Sequence, residues 1–517
     1  MSHKISRRQF LGEASCASVG SASLFSTLLN MRMANAAASF EPQDDYKALV
    51  CIFLAGGNDS FNMLVPTSSG EYATYQTTRA DLALAQGSIL PLNGTTNDGR
   101  TFGVHPSMPE VQKLYNDGDL AFVANVGTLV EPTTKDSYES GIAKLPVGLF
   151  SHIDQIAHWQ TSVPDKRIGF GWGGRTADLL KSLNSNQNIS MNISLSGTNT
   201  FQAGRSVVEY AIESQGNGSI GIKGFDRPIE TTEVLKKAAI ESMLDIEYQN
   251  LFEQTFSNTT RSAINNHSQF STAIAGVAPF ATQFSANQVS QSLQMVAKTI
   301  AARQALGFKR QTFFVMFGGW DHHDEVLNNQ LAMLSVLSKG LSEFNASLKE
   351  LGVSDKVTTF TASDFGRTLT SNGQGSDHAW GGNHMVMGGA VQGRKIYGNY
   401  PDLFIDNPLD VGRGSLIPTV SCDEYFAELA LWFGVNSADL DTVFPNINRF
   451  YNYQPNVAPV GFLSPGDAPP TNEVTLSDLE TESRSESDPA VTLSLGVAGL
   501  SALTAGAIAI RRRLENA

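Results

Sequence analysis

Aspartate or histidine side chains occur in four short segments, each of which follows an apolar run or contains a pair of glycines. The segments are 54–62, 317–324, 360–367 and 375–384. Four of the nine histidines of the 517-residue chain fall between positions 322 and 384, beside these acids. Carboxylate and imidazole groups together suit zinc, manganese or a similar divalent ion better than calcium, which prefers oxygen ligands alone. The sequence therefore predicts a site for one or two divalent ions.

The candidate metal ligands are the acids and imidazoles that these segments place just after a strand. Asp321 and His323 lie two residues apart, so in an extended turn both side chains can point to one side and share a cation. The full candidate set is Asp59, Asp321, His323, Asp364, His378 and His384. Taken singly, an aspartate at a strand end is often a helix cap or a turn residue. Two ions about 4 Å apart can clamp a phosphate or sulfate ester and stabilise its attacking and leaving oxygens.

Ser151 is the candidate nucleophile. It precedes the stretch 152–159, whose apolar spacing is helical, and so we expect it at the start of a helix. Free backbone N–H groups and the positive end of a helix favour an alkoxide and an anionic substrate. Serine is also a common N-cap that needs no catalytic role, and Ser60 is a second candidate. Arg367 and Arg175 can each face the anion or form ordinary ion pairs.

The elements that position these residues alternate between short apolar runs and longer helical periods. Strand character is found at 46–55, 120–126, 191–195, 312–317 and 356–361. In the clearest helix, 326–351, leucines recur every three or four residues and form one apolar face. The alternation predicts an α/β fold with a mostly parallel central sheet flanked by helices, whose chemistry gathers at the carboxyl ends of the strands. The polar region 198–290 is predicted to be a helical or irregular insertion or cap.

Composition narrows the classes of protein and partner. The formal net charge of −14 argues against a protein that binds the phosphate backbone of a nucleic acid through a basic surface. Three cysteines support neither a disulfide framework nor a cysteine-ligated zinc cluster. With 41% hydrophobic residues, the chain is long enough for one large α/β domain, which we place at 37–453.

Both ends of the chain carry features of export. Paired arginines at 7 and 8, a weakly apolar stretch and an Ala-x-Ala motif predict a twin-arginine signal peptide over residues 1–36. Residues 454–490, rich in Pro, Ser and acids, are predicted to be a solvated linker. The uncharged run 491–510 is followed by three arginines, so 491–517 is predicted to be a membrane anchor or a sorting tail that is removed after export. These features predict a periplasmic or cell-surface protein.

The sequence resembles the bacterial family called domain of unknown function 1501, which is grouped with alkaline phosphatase and sulfatase-like proteins. The motifs that carry the resemblance are Gly-Gly-Asn-Asp at 56–59, Ser-His at 151–152, Gly-Gly-Trp-Asp at 318–321, Ser-Asp-Phe-Gly-Arg at 363–367, and the stretch 377–389. The resemblance implies an alkaline phosphatase-like fold with a serine nucleophile and an acid-histidine metal site. By position, these roles fall on Ser151, Asp59, Asp321 with His323, Asp364, and His378 or His384. This chain has Phe365 where the superfamily usually has a histidine.

Two functional hypotheses follow. In the first, the protein is a metal-dependent hydrolase of phosphate or sulfate esters, either small or borne on a polymer, in which Ser151 attacks the ester. In the second, the protein keeps a phosphatase-like fold without catalysis and binds a partner at the cell surface. Phe365, at the position of an expected metal ligand, is the feature that favours the second hypothesis.

Overall fold

The computed structural model describes residues 45–463, except 95, 97, 98 and 227. The predicted signal peptide and C-terminal segment lie outside the described residues, as does all of the predicted linker beyond residue 463. In the described part of the chain, we find no helix with the length and apolar character needed to cross a membrane.

The elements of the described part are numbered here in chain order. The strands are β1 Lys47–Ala55, β2 Leu64–Pro66, β3 Leu90–Pro91, β4 Phe102–Val104, β5 Leu120–Gly127, β6 Asn192–Ser194, β7 Tyr210–Ala211, β8 Arg310–Gly318, β9 Val357–Ser363, β10 Gly382–Met387, β11 Ile396–Tyr397 and β12 Val420–Ser421. The α-helices are α1 Ser60–Met63, α2 Ser69–Arg79, α3 Pro109–Asp117, α4 Lys135–Glu139, α5 His152–Thr161, α6 Trp172–Leu180, α7 Thr231–Leu244, α8 Leu251–Ala275, α9 Gln288–Ala301, α10 Arg303–Leu306, α11 Val326–Glu350, α12 Cys422–Phe433 and α13 Leu440–Val443.

A nine-stranded sheet forms the centre of the fold. Its order is β11-β5-β10-β9-β1-β8-β6-β7, and β12 also pairs with β5. β1 lies parallel between β8 and β9, β6 and β7 continue the parallel pairing, and β10 runs antiparallel to its neighbours β5 and β9. A small second sheet has the order β2-β4-β3. The predicted α/β fold with a mostly parallel sheet and flanking helices is confirmed, and the five predicted strands are β1, β5, β6, β8 and β9.

The central strands are continuous apolar runs because both of their faces are covered. In β1 every residue from Ala48 to Leu54 is buried, and all eight residues of β5 are buried. Parallel strands that carry helices on both sides are apolar throughout rather than alternating. The apolar face of α11 is buried at Leu334, Leu341 and Leu348, whereas Leu331, nearer the start of the helix, is 56% exposed.

The region predicted to be an insertion, 198–290, contains β7, α7, α8 and the start of α9. β7 joins the edge of the main sheet beside β6. α7 contains no buried residue, and the apolar side chains of Leu235 and Met243 are more than half exposed. Its boundaries as an insertion or cap remain a prediction.

The glycine-rich segment 375–384, predicted as a loop, is a loop only as far as Gly381. Residues 382–387 form the buried strand β10 between β5 and β9, so the prediction was wrong for this part of the segment. The glycine before the strand leaves room for a neighbouring side chain: a Cβ on Gly381 would lie 2.0 Å from Oδ1 of Asn125. A glycine that permits such an approach looks like a loop glycine in the sequence.

Candidate metal centre

The candidate centre lies where three neighbouring parallel strands end. β8, β1 and β9 are adjacent and in register, with Ala55 opposite Gly318 and Leu54 opposite Ser363. Because the carboxyl ends of parallel strands meet at one edge of a sheet, the loops after these strands lie side by side. These loops carry Asp59, Asp321 and Asp364, as the sequence predicted.

Two glycines after β1 allow these loops to approach one another. Gly56 has φ of +119° and Gly57 has φ of +83°, a left-handed region that side chains rarely adopt. A Cβ on Gly56 would lie 2.5 Å from the backbone nitrogen of Asp321, and a Cβ on Gly57 would lie 2.5 Å from the ring of Phe365. The glycine pair therefore fixes how close the β1 loop comes to the loops that follow β8 and β9.

The carboxylate of Asp321 stands at the middle of three imidazole rings. Its Oδ1 lies 3.1 Å from Nε2 of His323 and 3.3 Å from Nε2 of His378, and its Oδ2 lies 3.4 Å from Nε2 of His152. The Nε2 atoms of His323 and His378 are 3.1 Å apart. Three ring nitrogens thus converge on one carboxylate.

The opposite nitrogen of each ring is held by a hydrogen-bond acceptor. Nδ1 of His152 lies 2.7 Å from Oδ2 of Asp364, Nδ1 of His323 lies 3.1 Å from Oδ1 of Asp377, and Nδ1 of His378 lies 2.8 Å from the carbonyl oxygen of residue 150. A carbonyl oxygen or an ionised carboxylate can only accept, so each Nδ1 carries the proton. In the neutral ring, Nε2 then presents a lone pair toward Asp321.

Phe150 supplies that carbonyl from an unusual backbone conformation. Its φ is +73°, in the left-handed region, immediately before α5 begins at His152. A bulky residue seldom adopts this region, and such residues are concentrated at functional sites. Here the conformation directs the carbonyl oxygen of Phe150 to the ring of His378.

Arg367 fixes Asp321 from the protein side. Its guanidinium donates to Oδ1 of Asp321 at 2.5 Å, to the carbonyl of Gly57 at 2.8 Å and to the carbonyl of Ser376 at 3.0 Å, and its side chain is fully buried. Desolvation raises the pKa of Asp321, but the hydrogen bond and charge of Arg367 outweigh it and lower that pKa to about 2. Asp321 is therefore ionised at neutral pH.

Asp364 holds the ring of His152 from beneath. Its side chain is fully buried, Oδ2 contacts His152, and Oδ1 accepts a hydrogen bond from the backbone nitrogen of Gly56 at 3.0 Å. Burial raises the pKa of Asp364, and the hydrogen bond from His152 opposes that shift. A carboxylate behind a ligating histidine sets the tautomer and the orientation of the ring.

The donor atoms of this cluster fit a divalent metal ion. One ligand atom each from His152, Asp321 and His378 lie within 4.8 Å of one another. Nε2 of His152 is buried and makes no hydrogen bond among the described residues. Tetrahedral zinc, with bonds of about 2.0–2.1 Å, places neighbouring ligand atoms about 3.3–3.4 Å apart, close to the separations found around Asp321. His323 is positioned to add a fourth donor.

Asp59 lies at the same sheet edge in a different environment. Its Oδ2 accepts hydrogen bonds from Arg79 at 2.5 Å and from Oγ of Ser376 at 3.0 Å, and both members of the ion pair are 1% exposed. In the described part of the chain, no hydrogen bond or ion pair connects Asp59 to the imidazoles around Asp321. The structure therefore brings Asp321, His323, Asp364 and His378 together and leaves Asp59 beside them.

His384, the last of the predicted ligands, lies in β10. Its ring packs against Trp159 and Tyr425, with ring centroids 4.7 Å and 6.0 Å away, and the residue is 4% exposed. Burial lowers the pKa of His384 to about 3, so the ring is a neutral core side chain. It is not a member of the group of donor atoms around Asp321.

Ser151 is the N-cap of α5, as the sequence predicted. Its hydroxyl donates a hydrogen bond to Asp154, whose pKa is lowered chiefly by a hydrogen bond from Arg167. The other predicted polar residues have structural partners. Ser60 is buried and accepts a hydrogen bond from the backbone nitrogen of residue 383 at 2.8 Å, and Arg175 donates to the carbonyl of Val443 at 2.8 Å.

His152 is the residue of the cluster that the sequence analysis did not place among the metal ligands. It is adjacent to Ser151 in the Ser-His motif, but it lies 212 positions from Asp364, the residue that orients it. The available signal was a histidine in the first turn of a helix, directly after the candidate nucleophile Ser151. Phe365 packs its ring 4.8 Å from the His152 ring and 4.5 Å from the His378 ring, and so borders the cluster without ligating.

Comparisons with known proteins identify a family and distant structural matches. A family model described as "Protein of unknown function (DUF1501)" matches residues 46–412. A comparison with curated proteins gives no match. Among solved structures, PsFucS1 sulfatase from Pseudoalteromonas sp. matches with 10% identity and a TM-score of 0.32, covering 78% of this chain and 71% of that chain.

Two other solved structures match with similarly low sequence identity and TM-scores. Ps i-CgsB, solved in complex with k-i-k-neocarrahexaose, matches with 12% identity and a TM-score of 0.31, covering 78% of each chain. A mutant of TAB5 alkaline phosphatase with Mg bound matches with 10% identity and a TM-score of 0.26, covering 69% of this chain and 95% of that chain. TM-scores this low do not support a conclusion about function. The function has to be inferred from the site itself.

Proposed function

Since the chain belongs to the DUF1501 family, whose description states no activity, we propose from the site that it is a divalent-metal-dependent hydrolase of phosphate or sulfate esters. The observation that carries the proposal is the convergence of three imidazole Nε2 atoms on the ionised carboxylate of Asp321. Electron-pair donors that converge in this way form the kind of ligand set that a divalent cation requires.

The residues that would hold the ion are His152, Asp321, His323 and His378. Zinc and manganese both suit imidazole and carboxylate ligands. When bound, the ion would act as a Lewis acid that polarises an ester oxygen. Asp364 and Asp377 keep two of the rings in the ligating tautomer, and Arg367 keeps Asp321 ionised and in place.

The open side of the cluster is formed by Asp321 and His323, whose side chains are 47% and 45% exposed. A substrate approaching from solvent therefore meets these two residues first. On the other side, Phe365 is 3% exposed and covers the rings of His152 and His378. This ring excludes water from the protein side of the cluster, which strengthens electrostatic interactions there.

Ser151 remains the proposed nucleophile, and its present hydrogen bond sets a condition on that role. The hydroxyl donates to Asp154, and the hydrogen bond from Arg167 keeps this carboxylate a weak base. To attack an ester, the hydroxyl of Ser151 has to leave Asp154 and turn toward the substrate. If Ser151 attacks, Ser151→Ala abolishes hydrolysis. If a water molecule attacks instead, this variant keeps activity close to that of the unaltered protein.

The test of the proposal measures bound metal and hydrolysis in one set of proteins. The full chain is compared with Asp321→Ala/His323→Ala and with a control, Asp226→Ala/His267→Ala, which removes an acid-histidine pair 3.0 Å apart in the predicted insertion. We expect zinc or manganese in the full chain and the control, and none in the Asp321 variant. Hydrolysis of aryl phosphates or aryl sulfates should be lost in parallel. Equal turnover in the Asp321 variant and the full chain would contradict the proposal.

A second function, binding without catalysis at the cell surface, is favoured by two specific observations. The hydroxyl of Ser151 donates a hydrogen bond to the carboxylate of Asp154, and Phe365 stands at the position of an expected ligand. This function predicts a folded protein that stays free of metal after incubation with zinc and manganese. Metal-dependent hydrolysis that is lost in Ser151→Ala would exclude it.

Export is also part of the proposal, and it is supported by the sequence features of residues 1–36 and 491–517. A twin-arginine leader would place the hydrolase in the periplasm or at the cell surface, where it would meet small or polymer-borne esters. Deletion of residues 491–517 tests the C-terminal prediction. A membrane anchor requires that the truncated protein be released in soluble form, and unchanged membrane retention would show that the segment is not the anchor.

A further inference from the structure

Asp59 and Asp321 lie at one sheet edge, and each has a buried guanidinium as its partner. Arg367 donates to Asp321 and Arg79 donates to Asp59, both at 2.5 Å. A carboxylate at the position of Asp59 was predicted to ligate metal. In the structure, its charge is instead matched by an arginine of the same chain.

Arg79 is held in place by every nitrogen of its guanidinium. Nη2 binds Asp59, Nε donates to Oδ1 of Asn62 at 3.2 Å, and Nη1 donates to the carbonyl of Thr368 at 3.0 Å. Asn62 is itself fixed, since its Oδ1 also accepts from the hydroxyl of Tyr75 at 2.8 Å. A buried guanidinium with every nitrogen hydrogen-bonded is a built part of the site and is not readily displaced by an ion.

One serine connects the two acid-arginine pairs. Oγ of Ser376 donates to Asp59 at 3.0 Å, and the carbonyl oxygen of the same residue accepts from Arg367 at 3.0 Å. Arg367 also contacts the carbonyl of Gly57, two residues before Asp59. The two pairs are therefore neighbours in a single hydrogen-bonded network rather than separate features of the surface.

The charges of this network match one divalent ion better than two. Its carboxylates are Asp59, Asp321, Asp364 and Asp377, and its guanidiniums are Arg79, Arg367 and Arg413, the last of which is bound to Asp377 at 2.5 Å. Among these side chains, four carboxylates and three guanidiniums leave one net negative charge. One divalent ion changes this to one net positive charge, which suits an anionic ester, whereas two ions would leave three positive charges in a partly buried site.

We propose that the centre takes one divalent ion, and that Arg79 permanently supplies at Asp59 the positive charge that a second ion would otherwise supply. The inference rests on the proposed function for the first ion. It assigns Asp59 and Arg79 as positioning residues: the pair fixes the loop after β1 against Ser376 and Arg367, and through Arg367 it fixes Asp321.

The experiment counts metal ions per chain by mass spectrometry after incubation of the full-length protein with zinc and, separately, with manganese. The variant is Asp59→Asn/Arg79→Met, which removes both charges together, so that neither is left buried alone. We expect one equivalent per chain in the unaltered protein and one in the double variant. A circular dichroism spectrum matching that of the unaltered protein shows that the variant is folded.

A third protein keeps the test decisive if the double variant does not fold. In His378→Ala, the ion at Asp321 loses a ligand while the Asp59–Arg79 pair is unchanged, so the count should fall from one to zero. Two equivalents in the unaltered protein, falling to one in His378→Ala or in Asp59→Asn/Arg79→Met, would overturn the inference and leave the proposed hydrolase standing. No metal in the unaltered protein would instead overturn the proposed function itself.

Discussion

Two carboxylates at one edge of the sheet have been given different surroundings. Asp321 has a side chain that is 47% exposed and faces three imidazoles, while Asp59 is 1% exposed and faces Arg79 and Ser376. Both are bound by a buried arginine, so the arginine does not distinguish them. The difference lies in solvent access and in the neutral donors nearby, which leave Asp321 able to share a cation and leave Asp59 already neutralised.

The largest effect is expected for Asp321→Asn. This change removes the charge on which three ring nitrogens converge, and it leaves Arg367 without its anionic partner. Hydrolysis of aryl esters should fall by about 1,000-fold or more, which corresponds to roughly 4 kcal/mol of transition-state stabilisation. The measurement is kcat/KM with the best aryl phosphate or aryl sulfate substrate.

The matched control for this variant is Asp324→Asn, an exposed acid three residues further along the same loop. It should keep activity and metal content close to those of the unaltered protein. If the two variants lose activity equally, Asp321 has no special role, and the contrast with Asp59 fails.

The next prediction concerns the contribution of the Asp59–Arg79 ion pair to the stability of the fold. Replacing Arg79 by Met leaves a carboxylate buried without its ion-pair partner, and breaking a buried pair in this way costs about 3–5 kcal/mol. The free energy of unfolding, measured with urea, should fall by that amount in Arg79→Met. Adding Asp59→Asn to the same protein should recover a large part of the loss. If the double variant does not recover stability, the unpaired charge of Asp59 is not the cause of the lower free energy of unfolding.

A smaller effect is expected for Asp364→Asn, which weakens the orientation of His152 without removing a ligand. Changes behind a ligating histidine typically reduce metal affinity by about 10–100-fold. Competition against a chelator of known affinity measures this change. The control is Asp355→Asn, an exposed acid just before β9 begins, at the other end of the strand that leads to Asp364. If Asp364→Asn leaves the metal affinity unchanged, this carboxylate does not contribute to metal binding.

A last prediction concerns another buried carboxylate, Asp423 at the start of α12, which sharpens the comparison because it forms no ion pair in the described part of the chain. Burial raises its pKa to about 7, against a hydrogen bond from Ser162 and the attraction of Arg175. The folded protein therefore keeps this proton at pH values where the unfolded chain, with an ordinary pKa near 3.8, has released it.

The sign of the pH effect follows from that proton. Between about pH 4 and pH 7 unfolding releases it, so the stability that Asp423 contributes is complete below pH 4 and declines as the pH rises, by at most about 1.4 kcal/mol per pH unit. In Asp423→Asn this part of the pH dependence should disappear. Thermal unfolding at several pH values measures it, and an identical profile in the variant would rule out the raised pKa.

The sequence was informative wherever a short segment carried the whole signal. Apolar runs predicted β1, β5, β6, β8 and β9, because parallel strands covered on both faces must be apolar throughout. Asp321 and Asp364 could be placed at the sheet edge because each directly follows a strand. In contrast, β10 was missed, since the two glycines at its start leave room for neighbouring side chains and look like the residues of a loop.

By itself, the amino-acid sequence determined the α/β class, the strand ends and the acids and imidazoles that follow them. It could not decide which of those residues meet. His152 joined the cluster through Asp364, 212 positions away, while His384 entered the core and Asp59 bound Arg79. Such choices depend on contacts between segments distant in the chain and on how deeply each group is buried. Only tertiary structure sets the distances and the desolvation that make one carboxylate a candidate ligand and another a buried ion pair.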